Sequence, residues 1–223
     1  MVDEQRVRHS EAEEAAVVDS DLERATREAA NSLLQAERVR NCVLDALDGQ
    51  PFKLRPSRIL DLNRVAIDGL DAYAGNFRPA GIKIGESKHI PPEGHLVPEF
   101  VEELCDYVNE NWEKRTAIHL ASFVMWRLNW IHPFTDGNGR TSRATSYLVL
   151  CVKLGMLLPG SQSIPEQIVA NRRPYYNALE GADRRHEALG SFPENIVEKM
   201  EELMSGMLAE QLRNTHQHAN GAR

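Results

Sequence analysis

Chemically reactive side chains are concentrated between residues 132 and 143, where the sequence reads HPFTDGNGRTSR. A helix that precedes this segment must end at Pro133, and Gly137 and Gly139 allow the backbone to turn tightly. A tight turn that leads into a new helix presents several unpaired backbone N–H groups at one point. Such a point binds phosphate through hydrogen bonds and the helix dipole. The segment is therefore predicted to be a phosphate-binding turn.

The ionisable side chains of the segment extend this prediction to group transfer. The carboxylate of Asp136 can hold a hard cation such as Mg²⁺. Arg140 and Arg143 are three residues apart on the following helix, so they project from one face toward one target. His132 is the only group in the segment that titrates near neutral pH. A phosphate cradle, a metal carboxylate, two arginines and a base are the groups that phosphoryl or nucleotidyl transfer requires.

Other motifs that contain similar residues fail on their spacing. The segment lacks the Gly-Lys-Ser/Thr ending of a P-loop, and Ser142 stands where a dinucleotide-binding GxGxxG pattern needs its last glycine. A calcium loop would end on a Glu at the position that Tyr147 occupies. No HExxH pattern and no Cys/His cluster with zinc spacing is present in the sequence.

The composition restricts the class of protein. The chain has 223 residues, of which 42% are hydrophobic, and a formal net charge of −7. This acidic balance argues against a broad nucleic-acid surface, and no apolar stretch reaches the roughly 18 residues that a membrane-spanning helix needs. The N-terminus does not resemble a signal peptide. Cys42, Cys105 and Cys151 are far apart, which argues against a disulfide scaffold. We therefore expect a cytoplasmic protein that binds neither nucleic acid nor a membrane.

Helical periodicity dominates the sequence and predicts seven helices. They are expected over residues 21–49 and 56–73, from about residue 98, and over residues 116–130, 140–154, 165–184 and 195–212. The apolar residues of the first helix suit one of its faces, and they are Leu22, Ala25, Ala29, Leu33, Leu34, Val39, Val43 and Leu44. The fourth and fifth helices are the most apolar, which is typical of the buried centre of a bundle. The reactive segment connects these two helices.

Three parts of the chain depart from this helical pattern. In residues 81–92 apolar side chains alternate around a polar turn, which predicts a short β-hairpin lying on the helical body. Residues 1–20 are acidic and are predicted to form a mobile arm. Residues 214–223 are predicted to be a disordered polar tail. The remaining residues, 21–213, are predicted to form one helical domain.

The reactive segment matches every fixed position of the pattern HPFx(D/E)GNGRxxR, and the chain therefore resembles the Fic (Fido domain) family. The resemblance covers a core of residues 61–182. Within this core, residues 62–64 and 74–78 resemble the family's approach to its hairpin, which is called the flap. The resemblance implies an all-α fold, namely a Fic-type helical bundle with a short β-hairpin flap beside the active-site loop.

For function, the resemblance implies protein AMPylation, in which AMP moves from ATP to a hydroxyl group of a target protein and pyrophosphate is released. It makes His132 the general base, Asp136 the ligand of Mg²⁺, and Phe134 a structural anchor of the loop. Asn138, with the N–H groups of its neighbours, would contact the α and β phosphates, Arg140 the β phosphate and Arg143 the γ phosphate. The complete set of ATP-binding residues implied in this way is Gly137, Asn138, Gly139, Arg140, Thr141, Ser142, Arg143, Tyr175 and Tyr176. The target-binding flap would comprise Ile82, Lys83, Ile84 and Gly85.

Two other functions stay open at this stage. A Fic-fold enzyme can transfer another phosphate-linked group, such as phosphate, UMP or phosphocholine, and a non-catalytic relative can serve as a nucleotide-sensing interaction module. Many relatives also carry an inhibitory Ser/Thr-x-x-x-Glu-Gly/Asn helix whose Glu pairs with the second arginine of the motif. Residues 26–31 have this frame, but Ala30 replaces the Glu. We therefore expect Arg143 to be free of such a clamp, while inhibition by a separate small protein stays open.

Overall fold

Helices form nearly all of the regular structure in the computed structural model, which describes residues 10–11, 20–49, 51–79, 81, 83–84, 89–160 and 162–221. Within these ranges the helices are α1 (Asp21–Leu47), α2 (Pro56–Ile67), α3 (Val97–Glu110), α4 (Ala117–Ile131), α5 (Asn138–Leu154), α6 (Ile164–Ala170), α7 (Arg172–Leu189) and α8 (Glu198–Gly221). A 3₁₀ turn at Gly94–Leu96 precedes α3. The predicted all-α fold is confirmed. Over the described ranges, no helix has both the length and the apolar character needed to cross a membrane.

The centre of the bundle is the pair α4 and α5, as the apolar character of these helices predicted. Large side chains of α4 such as Phe123 and Trp126 are completely buried, and so are Leu148 and Val149 of α5. Each such side chain contributes about 1.5–3 kcal/mol through the hydrophobic effect. The hydroxyl of Ser146 donates to the carbonyl of α4 residue 121 at 2.7 Å, which joins the two helices at close range. The reactive turn is therefore carried by the most rigidly packed part of the molecule.

The buried face of α1 agrees only in part with the expected one. Its buried residues are Asn31, Gln35, Val39 and Val43, which are spaced four apart. The leucines that suit one face of a helix point outward instead, with Leu22, Leu33, Leu34 and Leu44 exposed by 77%, 75%, 52% and 41%. The expected face is therefore correct at Val39 and Val43 and wrong at the leucines, because the other two inward positions carry amides.

Those two amides attach α1 to α2 through the α2 main chain. The side-chain nitrogen of Asn31 donates to the carbonyl of Asp68 at 2.9 Å and to that of Ala66 at 3.4 Å. The side-chain nitrogen of Gln35 donates to the carbonyl of Leu62 at 2.9 Å. Carbonyl groups in the last turn of a helix have no intrahelical donor, so Asn31 satisfies groups that α2 leaves unpaired.

Several helix boundaries also differ from the predicted ones. The second helix ends at Ile67 rather than near residue 73, and the glycine that follows at position 69 is left-handed, with φ +68°. The single helix expected over 165–184 is two helices, because Asn171 is extended, with φ −143° and ψ 90°. The last helix continues to Gly221 through the segment expected to be a disordered tail, since that segment contains no proline to stop it.

The flap is described only in part. Lys83–Ile84 forms strand β2, which pairs antiparallel with strand β1 (Ser10–Glu11), and Ser10 lies opposite Ile84. Ile82 and Gly85 lie outside the described residues, as does the rest of the predicted polar turn, so the hairpin stays a prediction. Most of the predicted N-terminal arm, over residues 1–9 and 12–19, is also outside them.

The three cysteines are reduced, as their spacing predicted. Cys105 and Cys151 are buried in the main core, and Cys42 packs against it. Burial raises the pKa of the Cys105 thiol to about 12 and also raises that of Cys151. Both buried thiols therefore serve as small apolar core groups.

We expect Asn31→Ala to lower the free energy of unfolding by about 0.5–1.5 kcal/mol, the usual net contribution of a hydrogen bond, because it removes the side-chain donor to the carbonyls of Ala66 and Asp68. Urea unfolding followed by circular dichroism measures this. The control is Ser32→Ala at the neighbouring exposed position, where a change within about 0.5 kcal/mol is expected. Equal effects at the two positions would contradict the assigned attachment of α1.

Candidate functional site

The turn between α4 and α5 begins with a strained residue. His132 ends α4 in the left-handed conformation, with φ 51° and ψ 59°, while its N–H still donates to the carbonyl of Leu128. A residue other than glycine adopts this conformation only where its surroundings enforce it, at a cost on the order of 1–3 kcal/mol. The conformation redirects the chain between α4 and Pro133 within one residue.

The group that enforces this turn is Arg78, which is almost completely buried. Its Nε donates to the carbonyl of His132 at 2.8 Å, and its own backbone N–H donates to the carbonyl of Pro133 at 2.9 Å. The guanidinium also donates to the carbonyl of Pro92. Burial lowers the pKa of Arg78, but an arginine stays charged in proteins. Arg78 therefore attaches both ends of the segment 78–92, which contains residues 83–84, to the reactive turn.

The imidazole of His132 is positioned by the last turn of its own helix. The side chain is buried, and its Nδ1 lies 3.4 Å from the carbonyl oxygen of Asn129. When Nδ1 carries the hydrogen and donates to this carbonyl, Nε2 is the basic atom of the ring. The imidazole can then accept a proton through Nε2.

An amide closes the turn on itself. The side-chain oxygen of Asn138 accepts from the N–H of Phe134 at 2.9 Å, and its side-chain nitrogen donates to the carbonyl of the same residue at 2.8 Å. Phe134 is buried in the main core, as its predicted anchoring role requires. The amide of Asn138 therefore shapes the turn from within.

A second amide, which the sequence-based site did not include, holds the turn from outside. The side-chain nitrogen of Asn63, on α2, donates to the carbonyl of Asp136 at 3.0 Å and lies 3.3 Å from the hydroxyl of Thr141. Its side-chain oxygen accepts the N–H of Gly75 at 3.1 Å. Asn63 appeared in the sequence only as part of a weak family likeness, because its role depends on contacts with residues 12 to 78 positions away.

Gly137 is required at its position for two independent reasons. Its φ is +75°, and a Cβ built on it would lie 2.7 Å from the Cγ2 of Ile67 and 3.1 Å from the side-chain nitrogen of Asn63. The turn thus passes directly against α2, and α5 begins at the next residue. The first N–H groups of α5 have no intrahelical acceptor, so they can receive an anion.

Two hydroxyls predicted to contact the nucleotide face the protein interior. Thr141 and Ser142 are fully buried. The hydroxyl of Ser142 donates to the carbonyl of Gly139 at 3.1 Å and accepts from the amide of Asn129 at 2.8 Å. The same amide donates to the hydroxyl of Tyr175 at 2.8 Å. These contacts make Thr141, Ser142 and Tyr175 parts of the scaffold, whereas Tyr176 is only half-buried.

Four charged side chains form a closed ring at the turn, which we call the charge ring. Asp136 Oδ2 lies 3.0 Å from Nη2 of Arg140 and 3.0 Å from Nη2 of Arg24. Glu28 closes the ring, with its Oε1 3.4 Å from Nε of Arg24 and 3.7 Å from Nη1 of Arg140. Arg24 and Glu28 belong to α1 and contact residues more than a hundred positions away; Glu28 lies within the frame of the inhibitory pattern, whereas Arg24 precedes it.

Glu28 lies two residues before the position at which the inhibitory pattern needs its glutamate. Ala30, at which the pattern needs its glutamate, is exposed and lies about 200° around α1 from Glu28. Glu28 is the α1 glutamate that reaches an arginine of the motif, and it reaches Arg140 rather than Arg143.

Arg143 is the arginine of the motif without a carboxylate. In the described ranges its guanidinium has no ion pair or hydrogen bond; its charged neighbours are Arg140 and Arg172, and Tyr175 and Tyr176 lie nearby. Burial lowers the pKa of Arg143, and the two other arginines lower it further. A Cβ at Gly139 would lie 3.1 Å from its Nη1. Desolvating a charge without a partner is costly, so this cluster of cations is suited to a multiply charged anion.

The site offers few ligands for a metal. Over the described residues there is no group of three or more histidine, cysteine, aspartate or glutamate side chains that could hold an ion. The one carboxylate of the turn, Asp136, is partly exposed. A single carboxylate fits Mg²⁺, which keeps several waters and takes its other ligands from substrate phosphates.

The model of the Fic/DOC family matches residues 53–150 of the chain. A relative described as protein adenylyltransferase fic-1 from Caenorhabditis briggsae is 31% identical over 153 residues, which cover 66% of this chain and 27% of the relative. Protein adenylyltransferase Fic from Drosophila willistoni is 30% identical over 96 residues, covering 42% of this chain and 19% of that protein. The chain thus aligns with about a quarter or less of the length of these relatives.

Solved structures agree with the fold. A Fic-domain-containing signalling protein from Bacteroides thetaiotaomicron superposes with a TM-score of 0.70 at 20% identity, covering 92% of this chain and 75% of the other. Fic-1 from Caenorhabditis elegans superposes with a TM-score of 0.65 at 23% identity, covering 91% of this chain and 54% of the other. The shared fold therefore includes nearly the whole chain and extends beyond the matched family model.

We expect Gly137→Ala to lower the free energy of unfolding by more than about 1 kcal/mol, since it combines an unfavourable φ with overlap on Ile67 and Asn63. Gly155→Ala is the matched control, because Gly155 has a similar φ of +71° but open space around it. Thermal unfolding of both variants measures the difference. Equal destabilisation would show that the contact with α2 has no energetic consequence.

Proposed function

We propose that this protein is a protein adenylyltransferase that moves AMP from ATP to a hydroxyl side chain of a target protein and releases pyrophosphate. The observation that carries this proposal is the unpaired guanidinium of Arg143 beside the first turn of α5. An unpaired guanidinium beside a helix N-terminus is suited to bind a polyphosphate. Arg143 belongs to the same segment, residues 132–143, as the buried imidazole of His132 and the carboxylate of Asp136.

The phosphates would bind where the helix dipole and the arginines act together. The N–H groups at the start of α5 would receive the α and β phosphates. Arg140 would contact the β phosphate and Arg143 the γ phosphate, which supplies the counter-charge that Arg143 lacks within the described protein. The amide of Asn138 would contribute by keeping the turn in shape. Tyr176, next to Arg143, is better placed than the buried Tyr175 to meet the nucleoside.

His132 would act on the acceptor. Its Nε2 takes the proton of the incoming hydroxyl as the oxygen attacks the α phosphorus, and the bond from that phosphorus to the bridging oxygen of pyrophosphate breaks. The strained turn enforced by Arg78 fixes the imidazole before the substrates arrive. Catalysis would then depend on positioning and on matching the charge of the leaving pyrophosphate.

Asp136 would hold Mg²⁺, which supplies charge neutralisation for the phosphates when it is bound. The donor set fits this role, because one carboxylate is available and the remaining ligands would be phosphate oxygens and water. Besides Asp136, no protein side chain would then be needed to complete the coordination of Mg²⁺.

The target would dock through the flap. Lys83–Ile84 already pairs with an extended segment of the chain, namely Ser10–Glu11. An extended segment of a target would pair with the same strand through main-chain hydrogen bonds, together with the neighbouring flap residues Ile82 and Gly85. The flap segment starts and ends at the reactive turn, because Arg78 bonds to Pro92 as well as to His132. A docked strand would thus be held near the imidazole.

The named relatives support a nucleotidyl rather than another phosphate-linked transfer. Both protein relatives described above are named protein adenylyltransferase. The present chain retains each residue of the motif on which such a reaction depends. The composition and the reduced cysteines favour a cytoplasmic location.

The decisive experiment incubates the purified chain with ATP labelled either in the α or in the γ phosphate, in the presence of cell lysate, and examines proteins by autoradiography and mass spectrometry. AMP transfer labels protein from the α position only and adds the mass of AMP. Label from the γ position alone would indicate phosphotransfer instead. Absence of label from both, with ATP bound, would favour a nucleotide-sensing module.

His132→Ala should reduce transfer by about 10²–10⁴-fold, the usual contribution of a general base, while ATP binding measured by calorimetry stays near that of the wild type. His95→Ala is the control, since His95 is an exposed histidine outside the turn. Transfer at the wild-type rate by His132→Ala would rule out the assigned base.

Asp136→Ala should reduce transfer by roughly 10²-fold or more at any Mg²⁺ concentration, because Asp136 is the one carboxylate of the turn between residues 132 and 143. The wild-type chain should lose activity in excess EDTA and regain it with Mg²⁺ or Mn²⁺. Full activity in EDTA would be incompatible with a metal-assisted transfer.

A further inference from the structure

Both oxygens of the carboxylate proposed to hold the metal already accept hydrogen bonds from protein groups. Asp136 Oδ2 accepts from the guanidinium groups of Arg24 and Arg140, both at 3.0 Å. Asp136 Oδ1 accepts the N–H of Gly137. A divalent cation that approaches Oδ2 therefore meets two positive charges at the oxygen it needs, and like charges at such short range repel strongly.

The two arginines differ in what they can do when phosphate arrives. Arg140 extends from α5 and lies at the phosphate-binding end of that helix. Arg24 comes from α1, outside the matched family region, and its side chain is 37% exposed. It has an alternative partner in Glu28, whose Oε1 is 3.4 Å from its Nε. Arg24 can therefore leave Asp136 without losing every counter-charge.

We propose that Arg24 is a positioning residue that makes metal binding at Asp136 depend on the nucleotide phosphates. In the free chain Arg24 neutralises Asp136 and keeps a lone divalent cation away. A polyphosphate attracts the guanidinium of Arg140 and brings its own negative charge, which removes the repulsion, and Arg24 then moves toward Glu28. Metal and nucleotide consequently bind as a unit. This inference rests on the proposed function in its choice of polyphosphate, but its direct test does not require catalysis.

The test measures binding of Mn²⁺ alone to the full-length chain, from the free-ion signal in electron paramagnetic resonance. The wild type should bind Mn²⁺ weakly, and Arg24→Ala should bind it at least about fivefold more tightly, the lower end of typical coupling between linked sites. Arg24→Lys keeps a cation at this position and should resemble the wild type.

Two controls separate this effect from general electrostatics. Arg27→Ala removes the same charge from the same helix at a residue that lies against Gly69 instead, and should leave Mn²⁺ affinity unchanged. Asp136→Asn combined with Arg24→Ala should abolish the gain. An equal gain in Arg24→Ala and Arg27→Ala, or no gain in either, would overturn the proposal. A gain that survives Asp136→Asn would also overturn it, because the ion would then bind elsewhere.

The outcomes also distinguish this inference from the proposed function. A chain that shows the expected Mn²⁺ pattern but never modifies protein would refute adenylyl transfer and leave the role of Arg24 intact. A chain that transfers AMP while its Arg24→Ala variant binds Mn²⁺ like the wild type would refute the role of Arg24 alone.

Discussion

The site depends on one buried cation, Arg78, that holds the end of α4 in a conformation unfavourable for histidine. Through its side chain and its own N–H, Arg78 binds the carbonyls of His132 and Pro133. The strain at His132 is small compared with the stability of a packed helix pair, and the helices α4 and α5 give it no room to relax. The imidazole, the carboxylate and the start of α5 are therefore presented together, because a single charged group fixes the direction in which the chain turns.

The composition of the turn was visible in the sequence, but its supporting contacts were not. In the sequence, Pro133 predicts the end of a helix and Gly137 predicts a tight turn. The arginines predict an anion site. Each of these residues acts through its own local chemistry. Asn63, Arg24 and Glu28 reach the turn through contacts with residues that are distant along the chain, so their local sequence does not reveal those contacts. The same distinction explains α1: its existence followed from periodicity, whereas its buried face depended on amides that bond to α2.

The arginines around the turn divide into two electrostatic kinds. Arg140 and Arg24 share a carboxylate in the charge ring, so their charge is balanced before any ligand binds. Arg143 is half-buried beside other cations and has no such balance within the described residues. The site therefore has an uncompensated positive charge at Arg143, which favours an anionic ligand. At the charge ring the positive and negative charges are equal in number, and the ion pairs can exchange partners. Tyr175 and Tyr176 lie near the unbalanced charge of Arg143.

The attachment of α1 through amides has a consequence for how this sequence can change over time. Asn31 and Gln35 recognise main-chain carbonyls of α2, and every residue type carries such a carbonyl. Outward-facing positions of α2 can therefore be replaced without altering the register of α1, provided that the helix itself persists. Selection would then preserve Asn31 and Gln35 while the outward-facing side chains of α2 change. The position of α1, and with it the position of Arg24 and Glu28, would be kept through such changes.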